Sequence, residues 1–192
     1  MARKPLLTYF QALADGQDQR LKQIVLFVAE ECEDAPYFGL TKLNKIIWKA
    51  DFTCYAETGT ALTGCGYQRL EFGPAPVAMV PILKELEREG AIAYRDKDFG
   101  NGVTERRVIA KMAANTNVFR VAELKYVRKA ISYYWDMTGT ETSDDSHGIA
   151  WKTREDGDRL HYELAYLSDR ELAGRQLARL KQLAVQRGWK SN

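Results

Sequence analysis

The first half of the chain places apolar residues at the spacing of an amphipathic helix in two segments. The first runs from about residue 19 to residue 31 and has four apolar residues on one face: Leu21, Ile24, Val25 and Val28. The second follows a break at Pro36 and Gly39 and has five such residues: Leu43, Ile46, Ile47, Ala50 and Cys54. Thr41 is its predicted N-cap, and Gly59 lies beyond its end. We expect this second helix to be a buried brace.

The polarity pattern then changes to the alternation of a β-strand. Residues 67–72 send two sets of side chains to opposite faces: Tyr67, Arg69 and Glu71 on one, Gln68, Leu70 and Phe72 on the other. Gly73-Pro74 is predicted to turn the chain after this strand. A further helix is expected to begin near Val80, with Pro81 in its first turn, where a missing N–H is tolerated. Residues 91–98 and 103–111 flank Phe99-Gly100-Asn101-Gly102, which predicts a β-hairpin.

Two more helices are predicted in the second half. Residues 117–137 turn one face to the core: Val121, Leu124, Val127 or Arg128, and Ile131. Residues 168–192 form a docked amphipathic helix with one apolar stripe: Leu172, Ala173, Leu177, Leu180 and Ala184. Residues 139–145, GTETSDD, are expected to be a polar connector. The predicted fold class is therefore α+β, a mostly helical single domain over residues 1–192 with a small antiparallel sheet and a winged-helix-like central hairpin.

Two groups of short motifs occur in a fixed order along the chain. The first group comprises Thr41-Lys42-Leu43 with Lys45, Ala50-Asp51-Phe52, Thr58-Gly59 and Phe72-Gly73-Pro74. The second comprises Ser146-His147, Trp151, Gly157 and Leu160-His161-Tyr162-Glu163. Together they resemble the Panacea domain, the domain of SocA-like antitoxins. The resemblance implies a protein that neutralises a toxin, commonly encoded by the adjacent gene, through direct protein contact.

Composition and charge identify no special class of partner. Lys and Arg number 28 against 26 Asp and Glu, which gives a net charge of +2, whereas general nucleic-acid binders usually show a larger basic excess. The apolar run from Ile24 to Ala29 is too short to span a bilayer. The three cysteines, Cys32, Cys54 and Cys65, are odd in number and widely spaced, which indicates reduced thiols. We therefore expect a cytoplasmic protein that does not bind membranes.

The residues that enzymes and metal sites need are scarce. His147 and His161 are the two histidines, and the sequence contains neither a His-Glu-x-x-His nor a Cys-x-x-Cys motif. Ser146 and His147 follow two aspartates, but adjacency in sequence does not make a catalytic triad, whose members are positioned by the fold. We expect no enzymatic activity, no metal and no cofactor, and a structural hydrogen bond for His147. Three of the four tryptophans, Trp48, Trp135 and Trp151, are expected to pack on the core.

The predicted partner-binding residues belong to the strand, the Gly-Pro corner and the second motif group: Tyr67, Arg69, Glu71, Phe72, Gly73, Pro74, His147 and Trp151. Two alternatives remain. One is a winged-helix DNA-binding regulator, because four basic residues surround the hairpin, namely Arg95, Lys97, Arg106 and Arg107. The helix before the hairpin opposes it, since Lys84 and Arg88 are outnumbered there by glutamates. The other, which the resemblance permits, is an adaptor that delivers a toxin to a protease.

Overall fold

A computed structural model describes residues 17–100, 102–167 and 174–186 of the chain. Its α-helices are α1 (Gln17–Glu31), α2 (Leu40–Thr58), α3 (Met79–Arg88), α4 (Val121–Tyr134), α5 (Gly139–Asp145), α6 (Ile149–Lys152) and α7 (Gly174–Gln186). Its strands are β1 (Tyr67–Gln68), β2 (Ala75–Pro76), β3 (Ile92–Asp98), β4 (Thr104–Ala110) and β5 (Arg159–Leu160). Two 3₁₀ helices cover Thr116–Val118 and Tyr162–Tyr166. The predicted α+β class, mostly helical with small antiparallel sheets, is confirmed.

Helix α2 is the central brace of the fold, as its apolar face predicts. All five residues of the predicted stripe are buried, and the helix packs against α1, α4, α5 and α7. It begins at Leu40 with Gly39 as N-cap, so the assignment of the N-cap to Thr41 is wrong. Gly59 ends the helix in the left-handed region with a φ of 74°. The positive φ is what favours glycine there, since the Arg179 guanidinium of α7, which lies where a Cβ would be, is the flexible end of a side chain and could move aside.

The strand predicted over residues 67–72 is much shorter in the structure. β1 comprises two residues and forms the centre of an antiparallel sheet in the order β2-β1-β5, with Tyr67 opposite Pro76 on one side and Leu160 on the other. Leu70 and Gly73 exchange hydrogen bonds between their main-chain N–H and C=O groups, so the chain turns three residues earlier than expected. Side-chain alternation alone could not reveal these contacts of the main chain.

The hairpin follows α3 as predicted. Pro81 lies in the first turn of α3, and β3 and β4 pair antiparallel from Ile92 with Ala110 to Asp98 with Thr104. The buried face of α1 is also the predicted one, since all four apolar residues of its predicted stripe are buried. The likeness of this region to a winged helix stays a prediction. In the described residues no helix is long and apolar enough to cross a membrane.

Two predictions for the second half are wrong. Helix α4 begins at Val121 rather than at Asn117, because the Glu123 carboxylate accepts from the N–H of Arg120 at 2.8 Å and so caps the start of the helix there. The side chain of Val121, which was predicted to face the core, is 91% exposed. The segment 139–145 is helix α5 rather than a connector, since the hydroxyl of Thr138 accepts from the N–H of Glu141 and the Glu141 carboxylate accepts from the N–H of Thr138. Residues Leu124, Val127 and Ile131 are buried as predicted.

The C-terminal helix docks on α2 through Leu180, which was predicted, and through Leu183, which was not. Leu183 is buried against Ala56 and Tyr166, whereas Leu177 is 42% exposed. Leu172 and Ala173 and the side chain of Ala184 lie outside the described residues. The single-domain boundaries of 1–192 stay a prediction. The three cysteines are free and buried, as expected of reduced thiols.

Candidate functional site

The turn from Leu70 to Gly73, here called the Gly-Pro turn together with Pro74, presents the most exposed phenylalanine of the described chain. Phe72 is 63% exposed, and Glu71 beside it is also exposed. Gly73 has a φ of 95°, and a Cβ at this position would overlap the Ser146 hydroxyl and the Lys45 side chain. Glycine is therefore required where the turn meets the interior, while the aromatic ring before it faces outward.

Four main-chain carbonyl groups in and beside the Gly-Pro turn accept hydrogen bonds from distant parts of the chain. The acceptors and donors are Leu70 O from Trp151 Nε1 at 2.9 Å, Phe72 O from Ser143 Oγ at 3.0 Å, Pro74 O from Lys45 Nζ at 2.8 Å, and Arg69 O from Gly157 N at 2.8 Å. The turn is thus clamped by α2, α5, α6 and the loop before β5. Such multiple restraint leaves the turn little conformational freedom to lose on binding.

Beside the turn, three side chains form a stack. The guanidinium carbon of Arg69 lies 3.9 Å from the ring centroid of Trp151, and the His147 ring is stacked 3.8 Å from it at an interplanar angle of 18°. Both groups cannot occupy the same face at such distances, so they sandwich the indole. Arg69 also pairs with Asp156. The stack joins the segment directly after β1 to α6 and to the loop before α6, so that the three side chains form one surface.

His147 serves the interior of this surface. Its Nε2 lies 3.4 Å from Ser143 Oγ, the hydroxyl that donates to Phe72 O. Burial, together with the positive charges of Lys45, Arg69 and Lys152, holds the pKa of His147 below its ordinary value, against a smaller opposing effect of Asp144. The neutral imidazole is therefore favoured. A neutral ring suits this position, because the positively charged Arg69 guanidinium lies on the opposite face of the same indole.

Lys45 is a charged residue that the sequence pattern did not assign to the site. Its side chain is buried, and its Nζ donates to Pro74 O. Burial lowers the pKa of Lys45 from 10.5 to about 7, because the ammonium loses its hydration there. Lys42, one turn earlier in α2, is likewise buried and donates to Pro36 O at 2.7 Å and Trp135 O at 2.9 Å. The lysines of the first motif group are therefore internal clamps.

Asp51 anchors the opposite end of β1. Its buried carboxylate accepts from Thr63 N at 2.8 Å, from the Thr63 hydroxyl, from Tyr67 OH at 2.8 Å and from Tyr162 OH at 3.2 Å. Burial raises the pKa of Asp51, and these donors oppose the rise. The network joins Asp51 of the first motif group to Tyr162 of the second. The spacing of Asp51 from Ile47 and Cys54 places it in the buried stripe of α2, and this was the signal that could have revealed it.

The structure brings most of the predicted partner-binding residues together. Arg69, Glu71, Phe72, Gly73, Pro74, His147 and Trp151 lie in or directly beside the Gly-Pro turn, although Gly73 and Pro74 are buried. Tyr67 is the exception: its side chain is 1% exposed and bonded to Asp51, so it supports the turn from inside and offers no surface. Trp48 and Trp135 are half-buried against the core, as expected.

Two of the four basic residues of the hairpin, Arg106 and Arg107, have hydrogen-bond partners within the protein. Arg106 makes two hydrogen bonds to Asp96, of 3.0 and 2.9 Å. Arg107 donates to Glu33 O at 2.7 Å and Ala35 O at 2.8 Å and pairs with Glu105. These two guanidinium groups fasten the hairpin to itself and to the loop between α1 and α2. Neither is arranged primarily for contact with phosphates.

Comparison with known proteins identifies the domain. A family model described as antitoxin SocA-like, Panacea domain, matches residues 43–152, which is more than half of the chain. The matched range includes Lys45, Asp51, the Gly-Pro turn and Trp151, whereas the predicted motif residues from Gly157 to Glu163 lie beyond it. No curated protein and no solved structure matches the chain. Among the described residues no group of three or more His, Cys, Asp or Glu is placed to hold a metal ion.

Proposed function

The chain belongs to the family of SocA-like antitoxins with a Panacea domain, and we propose that it is the antitoxin of a toxin–antitoxin system. It neutralises its toxin, the product of the adjacent gene, by direct protein contact in the cytoplasm. The observation that carries the proposal is the clamped Gly-Pro turn inside the family's matched region, with Phe72 exposed at its tip. An exposed aromatic residue on a rigid support has the properties of an interface anchor.

Inhibition by binding needs a surface that is ordered before the partner arrives. The four hydrogen bonds to main-chain carbonyls fix the turn, and the sandwich of Trp151 between Arg69 and His147 fixes the surface beside it. Aromatic residues and arginine are enriched among the residues that contribute most to binding energy. Phe72 is therefore the central contact of the toxin, and Glu71 and the stacked residues form the surrounding contact area.

We also propose that the protein has no catalytic role. Ser146, the hydroxyl nearest to His147 in sequence, is buried and donates to Ser143 O at 2.6 Å. His147 contacts Ser143, whose hydroxyl is engaged with Phe72 O. A nucleophile needs a general base within hydrogen-bond distance and an accessible oxygen. Neither serine has both properties, so both are better explained as clamps of the turn.

Co-expression with the product of the adjacent gene tests this function. The wild-type protein is expected to relieve growth arrest and to copurify with that product. Phe72→Ala is expected to abolish rescue and weaken binding about 30-fold or more, which corresponds to about 2 kcal/mol for an interface anchor. Phe99→Ala is the matched control, because Phe99 is also an exposed phenylalanine in a turn, at the hairpin tip. It is expected to rescue as the wild-type protein does.

The opposite pattern would overturn the proposed surface. Rescue by a folded Phe72→Ala variant and its loss in Phe99→Ala would place the contact at the hairpin. Arg106→Glu tests the DNA-binding alternative. If the wild-type protein bound duplex DNA in a salt-sensitive manner and this change removed the binding, the result would favour a regulator. Degradation of the copurifying protein by an ATP-dependent protease, occurring only when the antitoxin is present, would favour the adaptor.

A further inference from the structure

A cavity of about 420 Å³ adjoins the Gly-Pro turn. Its wall combines aromatic and apolar residues with polar ones: Trp48, Phe52, Trp151 and Leu164 with Lys49, Thr53, Tyr133 and Asp145. Pro74 and Trp151 belong both to this wall and to the proposed toxin-binding surface, so the two features are continuous. A partner that covers the Gly-Pro turn therefore also lies against a partly polar recess.

The charged residues of the wall form one neutral pair. Among the described residues that line the cavity, the charged ones are Lys49 and Asp145, and their Nζ and Oδ2 atoms are 3.5 Å apart. Asp145 also accepts from Tyr133 OH at 2.6 Å. The side chains of Lys49 and Asp145 are 28% and 23% exposed, so a group in the cavity can face both charges. An occupant with a net charge would be attracted by one and repelled by the other, and would lose its hydration for little electrostatic gain.

Thr53 adds a hydroxyl that the interior of the protein does not use. It follows Lys49 by one helical turn in α2, so both side chains lie on the same face of the helix. Its hydroxyl makes no hydrogen bond to another described residue, whereas the nearby Ser146 hydroxyl donates to Ser143 O. Thr53 is half-buried, so water can serve as its partner in the free protein. An apolar occupant would displace that water and replace it with nothing, which costs free energy.

A planar amide satisfies both conditions set by the wall. It carries no net charge, and it combines a carbonyl oxygen that accepts hydrogen bonds with N–H groups that donate them. Its carbonyl oxygen can accept from the Thr53 hydroxyl and face the Lys49 ammonium, while its N–H groups face the Asp145 carboxylate. An anion, a cation and a hydrocarbon each satisfy only part of this arrangement.

We propose that the cavity receives the carboxamide side chain of an asparagine or glutamine of the toxin, while the toxin covers the Gly-Pro turn. This inference rests on the proposed function, because the occupant belongs to the toxin. It gives the interface an apolar contact at Phe72 and a polar contact in the cavity beside it. Thr53 thereby becomes a residue that determines specificity, because its hydroxyl distinguishes a carboxamide from an apolar side chain of similar size.

The cavity can be tested without the toxin. The probe is butyramide, which resembles a glutamine side chain, and the readout is the indole N–H signals of the 15N-labelled protein. The chain has four tryptophans, of which Trp48 and Trp151 line the described cavity and Trp135 does not. Butyramide is expected to shift the Trp48 and Trp151 signals saturably with a Kd of about 10 mM, as fits so small a ligand, and to leave Trp135 unchanged. Butyrate and butylammonium, which have a similar shape and opposite charges, are expected to bind about fivefold more weakly or less.

Variants of Thr53 link the probe to the toxin. Thr53→Val removes the hydroxyl and keeps the branched shape, and it is expected to weaken binding of both butyramide and the toxin about fivefold, as for one lost hydrogen bond. Thr53→Ser keeps the hydroxyl and is expected to bind both within about twofold of the wild-type protein. Thr104→Val makes the same change at an exposed site at the start of β4 and is expected to alter neither. Urea unfolding checks that the three variants are folded.

The outcomes separate this inference from the proposed function. Wild-type protein that does not bind butyramide, or that binds butyrate or butylammonium equally well, would overturn the assignment of the cavity to an amide. Probe binding weakened in Thr53→Val with full toxin affinity would overturn the toxin's use of the cavity while leaving the antitoxin function intact. Failure of wild-type protein to rescue growth would instead overturn the antitoxin function, and with it the toxin as occupant, even if the probe binds.

Discussion

Replacing Lys45 with methionine is expected to change how the stability of the protein depends on pH. The Lys45 side chain is 2% exposed, and its Nζ has Pro74 O as an acceptor at 2.8 Å. Burial lowers its pKa from 10.5 to about 7. Methionine has a similar unbranched shape and carries no charge, so the substitution removes the titration while largely keeping the packing. The hydrogen bond to Pro74 O is lost at every pH and does not affect the slope.

The sign of the effect follows from proton binding. Below about pH 7 the lysine is protonated in both the folded and unfolded states, so the folded state carries the full cost of a buried ammonium. Between about pH 7 and pH 10.5 the unfolded chain holds a proton that the folded protein does not, and stability rises with pH. At about 1.4 kcal/mol for each pH unit, the full effect is about 5 kcal/mol, of which about 2 to 3 kcal/mol falls between about pH 7 and pH 9.

Other buried groups titrate in the opposite sense and must be separated. Burial raises the pKa of the Cys32 thiol to about 12 and that of Cys65 further, so the wild-type protein loses stability as the unfolded thiols ionise. These contributions are common to wild type and variant, so their difference isolates Lys45. Urea unfolding of both proteins over this pH range gives that difference directly. Lys84→Met, on the exposed side of α3, controls for the loss of a lysine.

The expected result is a free-energy difference between wild type and Lys45→Met that grows by about 2 to 3 kcal/mol in favour of the wild type from about pH 7 to pH 9. Lys84→Met is expected to follow the wild-type slope. If the wild-type and Lys45→Met curves ran parallel within about 0.5 kcal/mol, the buried neutral lysine beneath the turn would be refuted.

Three further predictions concern stability and are measured by urea unfolding at neutral pH. Tyr67→Phe is expected to cost about 1.5 to 3 kcal/mol, because it removes a hydrogen bond to the buried Asp51 carboxylate and keeps the ring; an unchanged unfolding free energy would contradict the network. Ile47→Ala is expected to cost about 2 to 5 kcal/mol as a core truncation in α2, and a value near zero would show that the buried face was misassigned. Gly59→Ala is expected to cost about 1 kcal/mol, since alanine is strained at a positive φ; a stabilising effect would be inconsistent with the left-handed conformation of this residue.

Helical periodicity correctly predicted the central helices of the fold. Local sequence patterns gave wrong predictions where hydrogen bonds of the main chain determine the structure. The buried faces of α1 and α2 follow from apolar spacing, because a long helix must bury one stripe. Alternation over residues 67–72 predicted a strand where the structure has a turn, because hydrogen bonds from Trp151 and Ser143 to main-chain carbonyls leave no pattern in that segment. The composition of 139–145 indicated a connector, although the capping pair Thr138 and Glu141 marks a helix start.

The candidate site was predictable in its members but not in their roles. Phe72 from the first motif group and His147 and Trp151 from the second were predicted to share the partner-binding surface, and the structure places them together. Lys45 and Asp51 were missed, because charged residues are normally assigned to the surface and their burial depends on acceptors and donors far away in sequence. Tyr67 was placed at the surface because alternation separates two faces without saying which one is buried.

The backbone shape of the Gly-Pro turn is fixed by different atoms from those that form its exposed surface. Every clamp on it reaches a carbonyl oxygen, an atom that all amino acids supply, so none depends on the side chains of residues 70–72. Those three side chains can therefore be replaced while the backbone of the turn keeps its conformation. A protein built in this way can acquire a new binding specificity by changing three neighbouring codons and leaving its interior untouched.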